Sequence, residues 1–78
     1  MIDLVKNPSH YTRWAIEPIV FITKNHLEFW RGNIVKYVMR AGFKLYEGKN
    51  SVESEIVDLE KVIQYANIRI MHLKETQE

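Results

Sequence analysis

From Val52 onward the apolar residues return in steps of four and three: Val52, Ile56, Leu59, Ile63, Ala66, Ile70 and Leu73. That spacing draws one heptad-like stripe along a helix of roughly 23 residues, about 35 Å long at ~1.5 Å per residue. Asn50 followed by Glu53 has the spacing of a capping box at its start, and the last residues, from about Glu75, are expected to fray. The stripe can pack on a neighbouring helix, on a second copy of itself, or on both. Upstream, Leu27 to Ala41 reads as a second helix with Gly42 as its C-terminal cap. Gly32 lies inside that helix at a cost of roughly 1 kcal/mol against alanine, which points to a kink or to close approach of another backbone. Glu17-Pro18 opens a shorter helix, since proline fits the first helical position. Ile19, Val20, Phe21 and Ile22 make it apolar nearly all round, so it is expected to be buried and to end near Lys24-Asn25.

Outside these segments the chain reads as connection. Asn7-Pro8-Ser9 places a turn in an extended arm over residues 1–15, because the residue before a proline is pushed away from helix. Phe43 to Asn50 is a loop with Gly48 and Asn50 as turn residues and a mobile tip. No convincing strand pair is present. The expected fold is all-α: a compact three-helix domain over residues 1–78, with an extended N-terminal arm and a long C-terminal helix, and oligomeric.

Composition supports the oligomer. A chain of 78 residues buries a modest core, and with no cysteine it has neither disulfides nor thiolate metal sites to staple it. Its 46% apolar content is high for so little interior, so some of Trp14, Trp30, Phe21, Phe29 and Phe43 should face another chain. A net charge of +1 gives no general argument for binding nucleic acid or a membrane surface, and neither partner is expected. No apolar run approaches the ~20 residues of a membrane span. Met1-Ile2-Asp3-Leu4 lacks the pattern of a signal peptide, so the cytoplasm follows by default.

Chemistry concentrates on the second helix. At ~100° per residue, Asn33, Lys36, Tyr37, Arg40 and Lys44 fall within about 60° of one direction, provided the helix runs on to Lys44. Three cations, an amide and a phenol beside an apolar flank are the groups that recognise phosphate, and an aromatic ring can stack on a base. A solvated basic face is the plainer account of the same spacing. Arg31 projects toward the apolar side, where it needs an anionic partner unless Gly32 kinks the helix and exposes it. On the third helix Asp58, Lys61 and Tyr65 flank the stripe. Glu55 and Asp58, one turn apart, make Mg²⁺ the one metal to consider, but weakly, and local ion pairing is the ordinary explanation. No metal ligand is assigned and no other cofactor is expected. His10 and Tyr11 follow the Pro8 turn, and His10 is the histidine placed to transfer a proton or donate to phosphate. His26 and His72 have no partner at ligand spacing. Phosphate-binding glycine loops of the Walker and Rossmann kinds are absent, as the only glycines are 32, 42 and 48.

Three segments together carry a resemblance: Asn7-Pro8-Ser9-His10-Tyr11, Arg31-Gly32-Asn33-Ile34-Val35-Lys36-Tyr37-Val38-Met39-Arg40-Ala41-Gly42-Phe43-Lys44, and Asp58-Leu59-Glu60-Lys61-Val62-Ile63-Gln64-Tyr65. Their order and spacing resemble the phage nucleotide kinase-like proteins, long catalogued as a domain of unknown function. The family pattern reads H-P-x-H-Y, then R-G-N-x-x-K-Y-x-x-R-A-x-x-K, then D-L-x-K-x-x-x-Y. Asn7 stands where histidine is frequent, and Ala15-Ile16-Glu17 where Gly-Ile-Glu is. The resemblance implies a nucleotide-handling protein in the host cytoplasm, moving a phosphoryl group without a Walker loop, as a homo-oligomer, and the apolar stripe makes the long C-terminal helix its expected interface. It implies His10 and Asp58 as catalytic groups. It implies Tyr11, Arg31, Asn33, Lys36, Tyr37, Arg40, Lys44, Lys61 and Tyr65 as nucleotide- and phosphate-binding groups. Three alternatives stand beside this. One is a protein that sequesters a nucleotide, such as a cyclic signal of host immunity. Another is an all-α nucleoside triphosphate pyrophosphohydrolase, of whose paired motifs only Glu55-x-x-Asp58 is present. The last is a structural zipper.

Overall fold

The computed structural model describes residues 13–77. Those residues form three helices, α1 (Pro18–Lys24), α2 (Phe29–Arg40) and α3 (Ser51–Glu75), with no strand among them. The all-α expectation holds, while most of the N-terminal arm, including His10 and Tyr11, lies outside the described residues.

Each helix boundary has a local cause. Pro18 sits in the first turn of α1 with Glu17 extended before it. At the other end His26 adopts a left-handed φ of 53°. Its N–H donates to the Thr23 carbonyl at 3.2 Å and the Leu27 N–H to the Ile22 carbonyl at 3.1 Å. This is a Schellman stop made without glycine, so the backbone conformation explains the unassigned His26. Helix α2 stops at Arg40 rather than continuing to Lys44. Ala41 (φ −55°, ψ 126°) and Gly42 (φ 90°) turn the chain, and the Phe43 N–H donates to the Arg40 carbonyl at 2.8 Å. That is a type II turn, in which the third residue needs the positive φ that glycine adopts without strain. Asn50 and Glu53 do form the full capping box at the start of α3: Asn50 Oδ1 accepts from the Glu53 N–H at 2.7 Å, and Glu53 Oε1 from the Asn50 N–H at 2.9 Å.

Helix α2 is the middle element, with α1 on one side, α3 on the other, and no packing between α1 and α3. Gly32 is buried where α1 crosses α2: a Cβ built there would lie 3.0 Å from Ile22 Cγ2. Of the two explanations for a glycine inside the helix, close approach is the one observed.

The packing inverts the expected polarity. Ser54 and Asp58 are fully buried, and no apolar side chain is buried among the described residues. The predicted burial of α1 is not observed: Ile19, Val20 and Phe21 are exposed, because only one side of this seven-residue helix meets α2. The α3 stripe does not pack on α2 either. Val52 is 65% exposed and Ile63 58%, with Ile56, Leu59, Ile70 and Leu73 also open. Helix α3 turns toward α2 the face that carries Ser54, Asp58, Lys61 and Tyr65. No helix among the described residues is long and apolar enough to cross a membrane.

Candidate functional site

The α2–α3 contact is a polar clasp. Arg40, in the last turn of α2, reaches Asp58 on α3: its Nη2 donates to Oδ1 at 3.1 Å and its Nε to Oδ2 at 3.3 Å. Tyr46, from the connecting loop, donates its hydroxyl to Asp58 Oδ1 at 2.7 Å and accepts from Arg40 Nη2 at 2.7 Å and from Lys61 Nζ at 3.2 Å. Ser54 Oγ pins the loop by accepting the Tyr46 N–H at 2.9 Å. Burial pushes the Asp58 carboxyl up, but the hydrogen bonds from Arg40 and Tyr46, with the charges of Arg40 and Lys61, more than offset it and hold it below its ordinary value. Partial burial likewise works against the Arg40 charge, and the Asp58 carboxylate reverses that effect and raises its pKa. Asp58 is thus an ionised, hydrogen-bonded carboxylate with no exposed surface. It is placed to hold the two helices in register.

Around this clasp the structure collects most of the basic residues singled out from sequence. Lys36 lies 5.0 Å, Arg40 4.8 Å and Lys61 4.9 Å from the Tyr37 ring centre. Lys44 lies 4.7 Å and Lys61 5.1 Å from the Tyr46 ring. Although α2 ends before it, Lys44 joins the cluster because the Gly42 turn folds the chain back. Arg40 pairs with Asp58, whereas Lys36, Lys44 and Lys61 pair with no carboxylate among the described residues. Tyr65 stacks on Tyr37 with centroids 6.0 Å apart and planes 13° from parallel, and Phe29 meets Tyr65 edge-on at 6.0 Å.

Two predicted residues lie apart from this cluster. Arg31 is half-exposed, pairs with Glu28 at 2.7 Å and covers the Trp30 ring at 4.5 Å. It is nine residues from Arg40, roughly 13 Å along the helix axis. Asn33 spends its amide on its own helix, donating to the Phe29 carbonyl at 2.8 Å. No group of three or more His, Asp or Glu residues gathers as a metal site among the described residues.

The cluster borders a groove of about 650 Å³ between α1 and the C-terminal half of α2. Lys36, Arg40 and Lys44 line it together with Arg13, Trp14 and Phe43. Trp14 meets Phe43 edge-on at 5.6 Å, and Arg13 lies over the Phe43 ring at 4.1 Å. Glu17 also lines the groove. Its Oε2 accepts the Trp14 N–H at 2.6 Å, while its Oε1 is buried with no hydrogen-bond partner among the described residues. Sequence reasoning missed Arg13, Glu17 and Trp14 as site residues, and Tyr46 and Ser54 as clasp residues. Arg13, Trp14, Glu17 and Tyr46 lie outside the helices, where no period marks them. Ser54 stands one turn before Asp58 on the same face of α3 as Lys61 and Tyr65, and that spacing is the signal that could have found it.

Residues 5–67 match the DUF3310 family, described as a protein of unknown function. No curated protein and no solved structure matches the chain.

Proposed function

The chain belongs to the DUF3310 family, and on the geometry above we propose that it binds nucleotides, through phosphate, in the groove beside α2. One observation carries the reading: Lys36, Lys44 and Lys61 gather with Arg40 around two tyrosine rings, and only Arg40 has a carboxylate partner among the described residues. Clustered ammonium groups repel one another, and an anion relieves that repulsion. Phosphate accepts hydrogen bonds from several donors at once. The groove adds what a nucleotide needs beyond phosphate. Trp14 and Phe43 offer rings for a base.

The clasp bears on the choice between binding and catalysis. Asp58 is buried and fully engaged, so its part in any phosphoryl transfer is to position Arg40, and the resemblance leaves His10 as the proton-transfer group. The resemblance to phage nucleotide kinase-like proteins supports transfer between a monophosphate and a triphosphate. Sequestration of an unaltered nucleotide is the second reading, supported by the committed state of Asp58.

The test is to incubate the protein with a mixture of nucleoside mono-, di- and triphosphates and cyclic dinucleotides, then measure retained ligand and products by mass spectrometry. Diphosphates formed from a monophosphate and a triphosphate establish a kinase, and a retained, unchanged ligand establishes a sequestering protein. Lys36→Ala combined with Lys44→Ala is expected to weaken binding at least tenfold without loss of helicity. Arg31→Ala is expected to leave binding within twofold. Undiminished binding by the double lysine variant refutes the site.

A further inference from the structure

Helix α3 carries its apolar stripe on the side away from α2, and no other described element packs on it. On a wheel of ~100° per residue, the stripe lies roughly 140° from the direction of Ser54, Asp58, Lys61 and Tyr65, which face α2. Val52, Ile56, Leu59, Ile63, Ile70 and Leu73 are all exposed there. A continuous apolar seam of this length is uncommon on the surface of a monomer, and it has the four-three spacing by which two helices interlock.

The charges along the helix select the occupant and its direction. Glu53, Glu55 and Glu60 are exposed beside the stripe in the first half of α3 and Lys74 in its last turn, while His72 and the exposed Glu75 project roughly 150° away from it. Two copies side by side in the same direction set glutamates against glutamates and lysine against lysine. Reversing one copy sets the acidic half of each against the basic end of the other. We infer that α3 pairs antiparallel with α3 of a second copy of this chain, along Val52, Ile56, Leu59, Ile63 and Ile70, with the two helices crossing near Ile63. The seam faces away from α2, so both nucleotide grooves stay open. This pairing does not depend on what the groove binds.

The chain has no cysteine, which gives a clean experiment. In the antiparallel pair Ile56 of one copy lies opposite Ile70 of the other. The two Ile56 residues are then separated by fourteen positions along the seam, about 21 Å at ~1.5 Å per residue, beyond the reach of a disulfide. The full chain is made as Ile56→Cys and as Ile70→Cys, and each is oxidised alone and as an equimolar mixture after subunit exchange. Expected results are a disulfide-linked dimer from the mixture only, and a native mass by light scattering of twice 9.3 kDa or an even multiple of it. Ile63→Glu is expected to reduce that mass to one chain or to unfold the protein. A single-chain mass for the unsubstituted protein overturns the proposal, as does an unchanged mass for Ile63→Glu. Crosslinking of each variant alone establishes a parallel pair instead, and an oligomer in which no cysteine crosslinks places the interface on another face, such as that of α1.

Discussion

Replacing Asp58 by alanine separates a structural carboxylate from a catalytic one. The change removes two hydrogen bonds from Arg40, at 3.1 and 3.3 Å, and one from the Tyr46 hydroxyl at 2.7 Å. Breaking a buried ion pair by deleting one partner costs about 3–5 kcal/mol, because the remaining charge is left without compensation. The Arg40 side chain keeps 27% of its surface exposed, so water recovers part of that cost and the lower end applies, about 3 kcal/mol. With a urea slope of about 1 kcal/mol per molar for a chain this small, the unfolding midpoint falls by about 3 M, or the protein does not fold. Asp58→Asn keeps an acceptor for Tyr46 but loses the charge, and about half the effect is expected. The measurement is urea unfolding followed by helical circular dichroism at matched protein concentration, since unfolding of an oligomer depends on concentration. A loss below about 1 kcal/mol, together with abolished turnover or nucleotide binding, refutes the clasp and returns Asp58 to the reacting groups.

Three further outcomes follow from the same geometry. Because Asp58 ionises below its ordinary value of 3.8 in the fold, the folded state binds its proton less readily than the unfolded chain. Its contribution is complete above that ordinary value and is lost as pH falls through the lower folded pKa, so acid unfolding curves should show a step that Asp58→Asn lacks. His26→Gly relieves the left-handed φ of 53° at the end of α1 and is expected to stabilise by about 1 kcal/mol in thermal unfolding; destabilisation would mean that the imidazole makes a contact of its own. Gly42→Ala forces a side chain onto a φ of 90°, with an expected cost of about 1–2 kcal/mol and a weakened nucleotide site, because that turn carries Lys44 back to Tyr46.

The helices were legible in the sequence because their signals are local. Pro18 at the first turn of α1, the Asn50–Glu53 box and the four-three stripe of α3 each depend on neighbours within a turn or two. The short α1 was misread as buried because an all-round apolar run does not say how many sides will be covered, and here α2 covers one. The basic face was legible as far as Lys36, Tyr37 and Arg40, which share one helical face. That Lys44 stays with them depends on the type II turn at Gly42, and Lys61 arrives from another helix. Tyr46 lies in a loop, where no period exists to mark it, yet it is the hydroxyl on which Arg40, Asp58 and Lys61 converge.

The motif that carried the family resemblance can now be divided by what its residues touch. Arg40, Asp58, Lys61, Tyr37 and Tyr65 form the contact between α2 and α3, so folding accounts for their places in the motif, although Arg40 also lines the groove. Lys36 and Lys44 are different. They are exposed, pair with no carboxylate among the described residues, and line the groove. Their positions therefore say more about ligand binding than the stronger-looking arginine and aspartate do. The same division explains how a subunit can turn polar residues inward and a long apolar stripe outward. A hydrogen-bonded ion pair fixes register well but adds little net stability once desolvation is counted. Apolar burial supplies most of the driving force for folding, and among the described residues it is only partial, with no apolar side chain fully buried. If the α3 seam supplies the remainder, stability and assembly are one equilibrium, and the grooves are populated only to the extent that subunits pair.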